Sequence, residues 1–352
     1  MTSLNILSIQ RLSDNERTMI AAVDDSVNLT VAGGWFDGEI RDTWPEFAAN
    51  RYLPAGSNGK GTKAERGKLL ADADIIIGGW PFPFDLRTRA TKMQWFHQQP
   101  AGASNLLKSD LWGSDVIVTT SRGYGNTLGI GEYVLASIFH FAKGFHVAPN
   151  DRDNSAFDFH AYKPLVVEGK TVCVIGAGGI GLDVGRRCAA AGMRVVGTRR
   201  TIEDGAPMPE GFSELKRPEH LDEFLPDADF VAVCCQWTPE TENLLNVEAF
   251  KAMKPGSVVI NVARGEIIDE DAMVDALVSG RLRGAALDVY VGEFDGPPDA
   301  RLWEDPRVLI TPHNSGATDI GNRRTIELFC RNLQAYMKGE PLENRLDWEK
   351  WY

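Results

Sequence analysis

Arg264, Glu293 and His313 each stand just past a short β-branched or apolar run: Ser257 to Val262, Gly284 to Val289 and Val308 to Thr311. Such runs read as buried strands. In an open parallel sheet, strand ends gather at one rim, where ligands bind at the switch in strand order. The residue types then suggest a chemistry. An imidazole titrates near neutral pH and can exchange a proton with a substrate oxygen. A carboxylate beside it favours the imidazolium and orients the ring. A guanidinium holds a carboxylate in a planar fork and polarises an adjacent carbonyl. Taken singly, the arginine reads equally well as structural and the histidine after Pro312 as a surface residue; the three together read as an acid/base pair with an anion clamp.

Upstream, Gly176-Ala177-Gly178-Gly179-Ile180-Gly181 lies between the strand Thr171 to Ile175 and a helix that runs through Cys188 to Ala191 and ends at Gly192. Gly176 permits a tight turn, Gly178 lets the backbone approach a pyrophosphate, and Gly181 allows close helix packing. The helix start offers free N–H groups and partial positive charge to an anion. A second strand, Arg194 to Thr198, ends where an acidic residue would hold the ribose hydroxyls of NAD. Here Thr198, Arg199 and Arg200 stand instead, and guanidinium groups grip a 2′-phosphate where a carboxylate would repel it. NADP(H) is therefore the expected cofactor. NAD(H) is the alternative, with the arginines solvated and Glu203 or Asp204 reaching back to the ribose.

Glycine fingerprint, Asn261-Val262-Ala263-Arg264-Gly265-Glu266, Ala286-Leu287-Asp288-Val289-Tyr290 leading to Glu293, and Leu309-Ile310-Thr311-Pro312-His313 leading to Gly316 together resemble the D-isomer-specific 2-hydroxyacid dehydrogenase family. Thr238-Pro239-Glu240-Thr241, Lys254-Pro255-Gly256 and Gly339-Glu340-Pro341-Leu342 add to the likeness, which is strongest from Thr171 to Gly316. The resemblance implies that Arg264 binds substrate, Glu293 is the acid partner and His313 the general acid/base in hydride exchange between a nicotinamide and a small 2-oxo or 2-hydroxy acid. It also implies cofactor contacts from Gly179, Ile180, Cys234, Cys235, Thr241, Ala263 and Asp288. Substrate carboxylate contacts are implied at Gly78 and Gly79, with Trp80 beside the side-chain pocket; a plain turn before Pro81 is the other reading. Two departures stand out: Cys234-Cys235-Gln236 replaces a common His-x-Pro stretch, and Asn314-Ser315 replaces a more apolar pair. A reductase of glyoxylate or hydroxypyruvate type is expected, ahead of a phosphoglycerate dehydrogenase-like enzyme or a nucleotide-sensing, corepressor-like protein on the same fold.

The elements that must place these residues form two series. Short strands at Asn5 to Gln10, Asn28 to Ala32, Asp74 to Ile77, Met93 to His97 and Val116 to Thr120 alternate with helices or turns, Pro54 to Gly67 reads as an exposed loop, and a second such rhythm runs from Lys170 to Pro312. Between them lie a helix from Leu128 to Lys143 and an irregular connector to Gly169. The last helix, Ile320 to Lys338, has no strand of its own and presents Ile326, Phe329, Cys330, Leu333 and Met337 on one face before Gly339. It is expected to return to the first domain. The expected fold is α/β with two Rossmann-like or flavodoxin-like parallel-sheet domains, a dinucleotide domain (113–317) inserted into a discontinuous substrate domain (1–112 and 318–352).

At 352 residues and 43% hydrophobic, the chain can bury two cores. Its net charge of -12 argues against a nucleic-acid partner, which needs a basic face. No apolar stretch is long enough to span a bilayer, so no membrane partner is expected. Five cysteines fit reduced thiols in a cytoplasmic protein, with no metal site and no disulfide at Cys234 and Cys235, whose side chains should point to opposite faces. The family resemblance also implies a homodimer through the Leu128 to Lys143 helix, whose many apolar residues fit an ordinary interdomain helix equally well.

Overall fold

The computed structural model describes residues 3–203 and 205–351. Its contacts divide the chain into two units: Met1–Asn126, Phe294–Gly296 and Thr318–Tyr352 in the first, Thr127–Glu293 and Pro297–Ala317 in the second. The first unit extends past residue 112 because the strand after it pairs with the preceding one.

That unit carries β1 (Leu4–Ser8), β2 (Val27–Val31), β3 (Ile75–Gly78), β4 (Trp95–Gln98) and β5 (Ile117–Thr120), all parallel, in the order β2-β1-β3-β4-β5. This is the flavodoxin-like order, with its switch between β1 and β3. Both faces are covered, so side chains of both parities are apolar. Ile6, Ile75, Ile77 and Trp95 meet Ile326, Phe329 and Leu333 of the helix Gly321–Lys338. Leu7, Ile76 and Phe96 pack with Ile40 and Leu70 in a separate cluster. The last helix therefore does serve the first unit, and it stops where expected, at Gly339 with φ 70°. Met337 departs from the expected face at 39% exposed, since Tyr336 takes the final contact, 5.5 Å from Trp95.

The expected loop from Pro54 to Gly67 is cut short by the helix Lys63–Asp72. Thr62 caps it, and Glu65 reaches back to complete a capping box. That pair is a start signal stronger than the surrounding glycines.

The second unit carries β6 (Thr171–Ile175), β7 (Arg194–Thr198), β8 (Glu214–Lys216), β9 (Phe230–Val233), β10 (Ser257–Asn261), β11 (Leu282–Leu287) and β12 (Val308–Ile310). They are parallel throughout, in the order β12-β11-β10-β9-β6-β7-β8. This is the Rossmann order extended by one strand, with its switch between β6 and β9. The fold class expected from the sequence is the one observed. β8 escapes sequence reading because its half-buried residues include a Lys216–Glu214 ion pair at 3.0 Å instead of an apolar run.

The helix Thr127–Ala142 opens this unit and packs along the helix Gly179–Ala190. A Cβ on Gly131 would lie 2.2 Å from Asp183 Oδ2, so the glycine leaves the space that this carboxylate occupies between the two helices. Asp183 is held there by Arg187 Nε at 2.6 Å.

Candidate active site

β10, β11 and β12 are neighbours and parallel, so their carboxyl ends share one rim. Arg264 follows β10, Glu293 follows β11 and His313 follows β12. Strands lie about 4.8 Å apart, which puts the three departures within about 10 Å along the rim.

The histidine and glutamate meet. His313 Nδ1 is 3.0 Å from both carboxylate oxygens of Glu293. Glu293 has only 4% of its side chain exposed against 29% for His313, so the carboxylate is the fixed partner and the imidazole the accessible one. A carboxylate can only accept, so Nδ1 carries a proton and Nε2 is the nitrogen available for exchange.

The loop bearing His313 is built around Asp288, which is fully buried. Asp288 Oδ1 accepts from Thr311 Oγ1 at 2.7 Å and Asn314 N at 2.9 Å, and Oδ2 accepts from Ser315 N at 3.0 Å. The Asp288 carbonyl takes the His313 N–H at 3.0 Å. Asp288, expected to contact cofactor, thus has a structural duty in shaping the acid/base loop. Asn314 and Ser315 take part through their backbone N–H groups, so these two bonds do not depend on the departure from the family pattern.

Arg264 sits at the entry to the short turn Gly265–Ile267. Asn261, 1% exposed, donates to the Arg264 carbonyl at 2.8 Å and accepts from Ala263 N at 3.0 Å, fixing the chain on both sides. A Cβ on Gly265 would fall 2.1 Å from the Tyr290 carbonyl carbon, so the turn lies directly on the segment that leads to Glu293. Glu270 Oε1 ties the same segment by accepting from Val291 N at 2.7 Å. Burial pushes the Glu266 carboxyl above its usual range; Arg264 opposes that push and Glu293 adds to it, so both lie within electrostatic reach of one carboxyl. Asn261, Gly265 and Glu270 are site-building residues that sequence reading passed over; the glycine beside the arginine was the available signal.

In the glycine turn, Gly176 and Gly181 have the tight-turn and close-packing geometry expected of them, and Gly178 is open. Gly176 has φ 94°, and a Cβ there would lie 2.7 Å from Cys235 Cα across the β6/β9 switch. Around Gly178 nothing lies within 4 Å of a built Cβ, which leaves room for a pyrophosphate. A Cβ on Gly181 would meet the Gly176 carbonyl oxygen at 2.2 Å. Gly179 and Ile180 form the first turn of the helix Gly179–Ala190. These residues fit a dinucleotide.

Thr198 is 2% exposed and its carbonyl accepts from Gly176 N and Ala177 N at 3.1 and 2.7 Å, so it shapes the turn from beneath. Arg199 and Arg200 are exposed beyond it. Asp204 lies outside the described residues. Cys234 and Cys235 stand just past β9, and they pack against different core clusters, on opposite faces as expected. All five cysteines are free. Thr241 Oγ1 donates to Gln236 O at 2.7 Å and accepts from Thr238 N at 2.8 Å, which pins the loop after the cysteines. Ala263 is buried beside Arg264.

In the first unit, Gly78 ends β3 and is buried, and a Cβ there would strike the Phe96 ring at 2.2 Å. Packing accounts for this glycine. Gly79 lies across the β1/β3 switch from Gln10, 3.1 Å from Gln10 Cβ to a built Cβ. Trp80 belongs to an aromatic group, with ring centroids 4.6 Å from Trp44, 5.4 Å from Phe294 and 6.2 Å from Phe82. Phe294 carries no signal of this role in the sequence.

The sequence profile of the D-isomer specific 2-hydroxyacid dehydrogenase NAD binding domain matches residues 135–315, just over half of the chain. D-3-phosphoglycerate dehydrogenase of Methanocaldococcus jannaschii is 27% identical over 285 residues, 80% of this chain and 53% of its own, so the chain spans about half the length of that relative. Hydroxypyruvate reductase of Blautia hydrogenotrophica is 29% identical over 283 residues, 78% of this chain and 85% of its own. The crystal structure of a D-isomer specific 2-hydroxyacid dehydrogenase from Xanthobacter autotrophicus Py2 in complex with NADPH and MES shares the fold, with a TM-score of 0.77 and 24% identity over 100% of both chains. The chain belongs to the D-isomer specific 2-hydroxyacid dehydrogenase family, a family of NAD(P)-dependent oxidoreductases.

Proposed function

We propose that the chain reduces small 2-oxo acids to 2-hydroxy acids, as a glyoxylate or hydroxypyruvate type reductase that favours NADP(H) over NAD(H). The observation that carries this reading is the His313–Glu293 pair at 3.0 Å, one strand along the rim from the element bearing Arg264. The nicotinamide supplies the hydride. On the protein side, protonated His313 gives a proton from Nε2 to the developing alkoxide, and Glu293 stabilises the charged ring until that transfer. Arg264 binds the substrate carboxylate and polarises the carbonyl. Gly78, Gly79 and Trp80 of the first unit are proposed as further substrate contacts. Cys234, Cys235, Thr241, Ala263 and Asp288 belong to the cofactor surroundings. Exposed Arg199 and Arg200 receive the 2′-phosphate.

A screen of glyoxylate, hydroxypyruvate and larger 2-oxo acids with NADPH and NADH tests both parts. A higher kcat/KM with NADPH that Arg200→Ser reduces supports the cofactor assignment; preference for NADH overturns it. Reduction confined to 3-phosphohydroxypyruvate would instead favour the phosphoglycerate dehydrogenase reading.

A homodimer in the cytoplasm is part of the same proposal. Phe139, Phe145, Phe157, Phe159 and Val166, on and after the helix Thr127–Ala142, are 36 to 96% exposed, and an apolar run of this kind is better covered than solvated. The free thiols fit a reducing compartment. No helix among the described residues is long and apolar enough to cross a membrane. Light scattering at defined concentration tests the dimer, and a monomer overturns it.

A further inference from the structure

Thr311, between β12 and His313, has a hydroxyl with two partners: Asp288 Oδ1 at 2.7 Å and Tyr133 Oη at 2.8 Å. A carboxylate only accepts, and a threonine hydroxyl has one proton. Thr311 therefore donates to Asp288, and Tyr133 donates to Thr311. Burial pushes the Tyr133 phenol up to about 12, which keeps that donor protonated across the neutral range. The ring is half-buried against the core of the second unit, and the helix Thr127–Ala142 that carries it is anchored at Gly131 and Asp183.

The loop at the other end of this chain of bonds needs holding. His313 has φ 53°, in the left-handed region that a side chain other than glycine rarely adopts. Such a conformation persists only where its surroundings over-determine it. Three of those determinants converge on the carboxylate of Asp288, from Thr311, Asn314 and Ser315.

We propose that Tyr133 is a positioning residue for His313, acting through the hydroxyl of Thr311 and the carboxylate of Asp288 to fix the loop in which the imidazole meets Glu293. The inference rests on the reading of His313 as general acid/base. Its physical sense is that a hydroxyl fixed from both sides holds Asp288 in one orientation. With the phenol removed, Thr311 keeps its bond to Asp288 but loses the one that sets its rotamer, and the loop gains freedom at the acid/base pair.

The test compares wild type with Tyr133→Phe, Thr311→Val, Thr311→Ser and the Tyr133→Phe/Thr311→Val double variant. Two readouts are used: kcat against pH with the best 2-oxo acid and NADPH, and the titration of the His313 imidazole by NMR. Tyr133→Phe is expected to lower kcat roughly three- to tenfold, the effect of one neutral hydrogen bond, with little change in KM. It is also expected to move the His313 titration. Thr311→Ser should stay close to wild type, and the double variant should be no worse than Thr311→Val alone, because both substitutions break one chain. If Tyr133→Phe lowers only the unfolding temperature, leaving kcat, its pH profile and the His313 titration as in wild type, the phenol is merely structural and the proposal is overturned. His313→Gln separates the two levels. Full activity in that variant removes the acid/base reading, whereas its inactivity beside an unaffected Tyr133→Phe removes only the role of Tyr133.

Discussion

The two parallel sheets end in rims made by opposite means. Past the carboxyl ends of β10 to β12, buried polar groups do the placing: Asn261, Asp288 and Glu293 are 1, 0 and 3% exposed, and Asn261 has two side-chain hydrogen bonds within its own loop while the Asp288 carboxylate holds the loop after β12. Past β3, rings do it. Trp44, Trp80, Phe82, Phe84 and Phe294 pack edge to face or stacked, and the Trp44 indole donates to the Phe82 carbonyl at 3.0 Å. Directional bonds fix an atom to a few tenths of an ångström, as proton transfer requires; ring packing fixes a surface, which suffices to exclude water or shape a side-chain pocket.

The contrast is broken most severely at the acid/base pair. His313→Ala is expected to lower kcat by about a hundred- to ten-thousandfold, the range for loss of a positioned general acid, with the unfolding midpoint little changed. Glu293→Gln keeps the size of its partner but removes the anion that holds Nδ1–H and orients the ring, so kcat in the reducing direction should fall, by less than in His313→Ala. A wild-type kcat in that variant would mean that the carboxylate does not act on the ring.

At the aromatic rim the expected effect is on stability. Trp44 is 6% exposed and in contact with three rings, so Trp44→Ala should cost about 3 to 5 kcal/mol in urea unfolding. Trp44→Phe should cost less. Protein that remains folded should keep the pH profile of wild type. A shifted profile would show that the rings act on the acid/base pair, and the division of labour between the rims would fail.

The sequence was most readable where one physical cause dominates. Parallel strands buried on both faces, such as Ile75–Gly78 and Thr171–Ile175, are unbroken apolar runs, and the glycine turn has a fixed spacing because Gly176 and Gly181 have no room for a Cβ. Residue types past the ends of β10, β11 and β12 pointed to Arg264, Glu293 and His313, and the structure brings the last two into contact. What stayed hidden depends on partners far apart in the chain. Asp288, read as a cofactor contact, also organises the loop 23 to 27 residues later, and nothing in Tyr133 itself marks a bond to Thr311, 178 residues away. β8 was missed because an edge strand of three half-buried residues lacks an apolar pattern.

One buried polar group in the first unit sharpens the comparison. His97 of β4 is fully buried between strand and final helix, beside Trp95 and Phe329. Trp95 Nε1 donates to Thr119 Oγ1 at 2.8 Å, and Thr119 can donate its own proton to His97 Nδ1 at 2.8 Å; Ser121 Oγ, which donates to the Gln98 carbonyl at 3.1 Å, faces Nε2 at 3.5 Å. The surroundings therefore accommodate a neutral ring with its proton on Nε2, and among the described residues no carboxylate is hydrogen-bonded to it as Glu293 is to His313. Burial pushes the pKa of His97 down from 6.5 to about 3. A folded pKa below the unfolded one means that the unfolded chain binds the extra proton first. The stability contributed by the neutral ring is complete above about pH 6.5 and is lost progressively as pH falls toward 3. The slope from this one group is at most about 1.4 kcal/mol per pH unit. Urea unfolding of wild type and His97→Leu between these limits should give a flatter dependence in the variant, whatever its stability at neutral pH. Equal slopes would place the acid sensitivity elsewhere and leave the first unit without a titrating core.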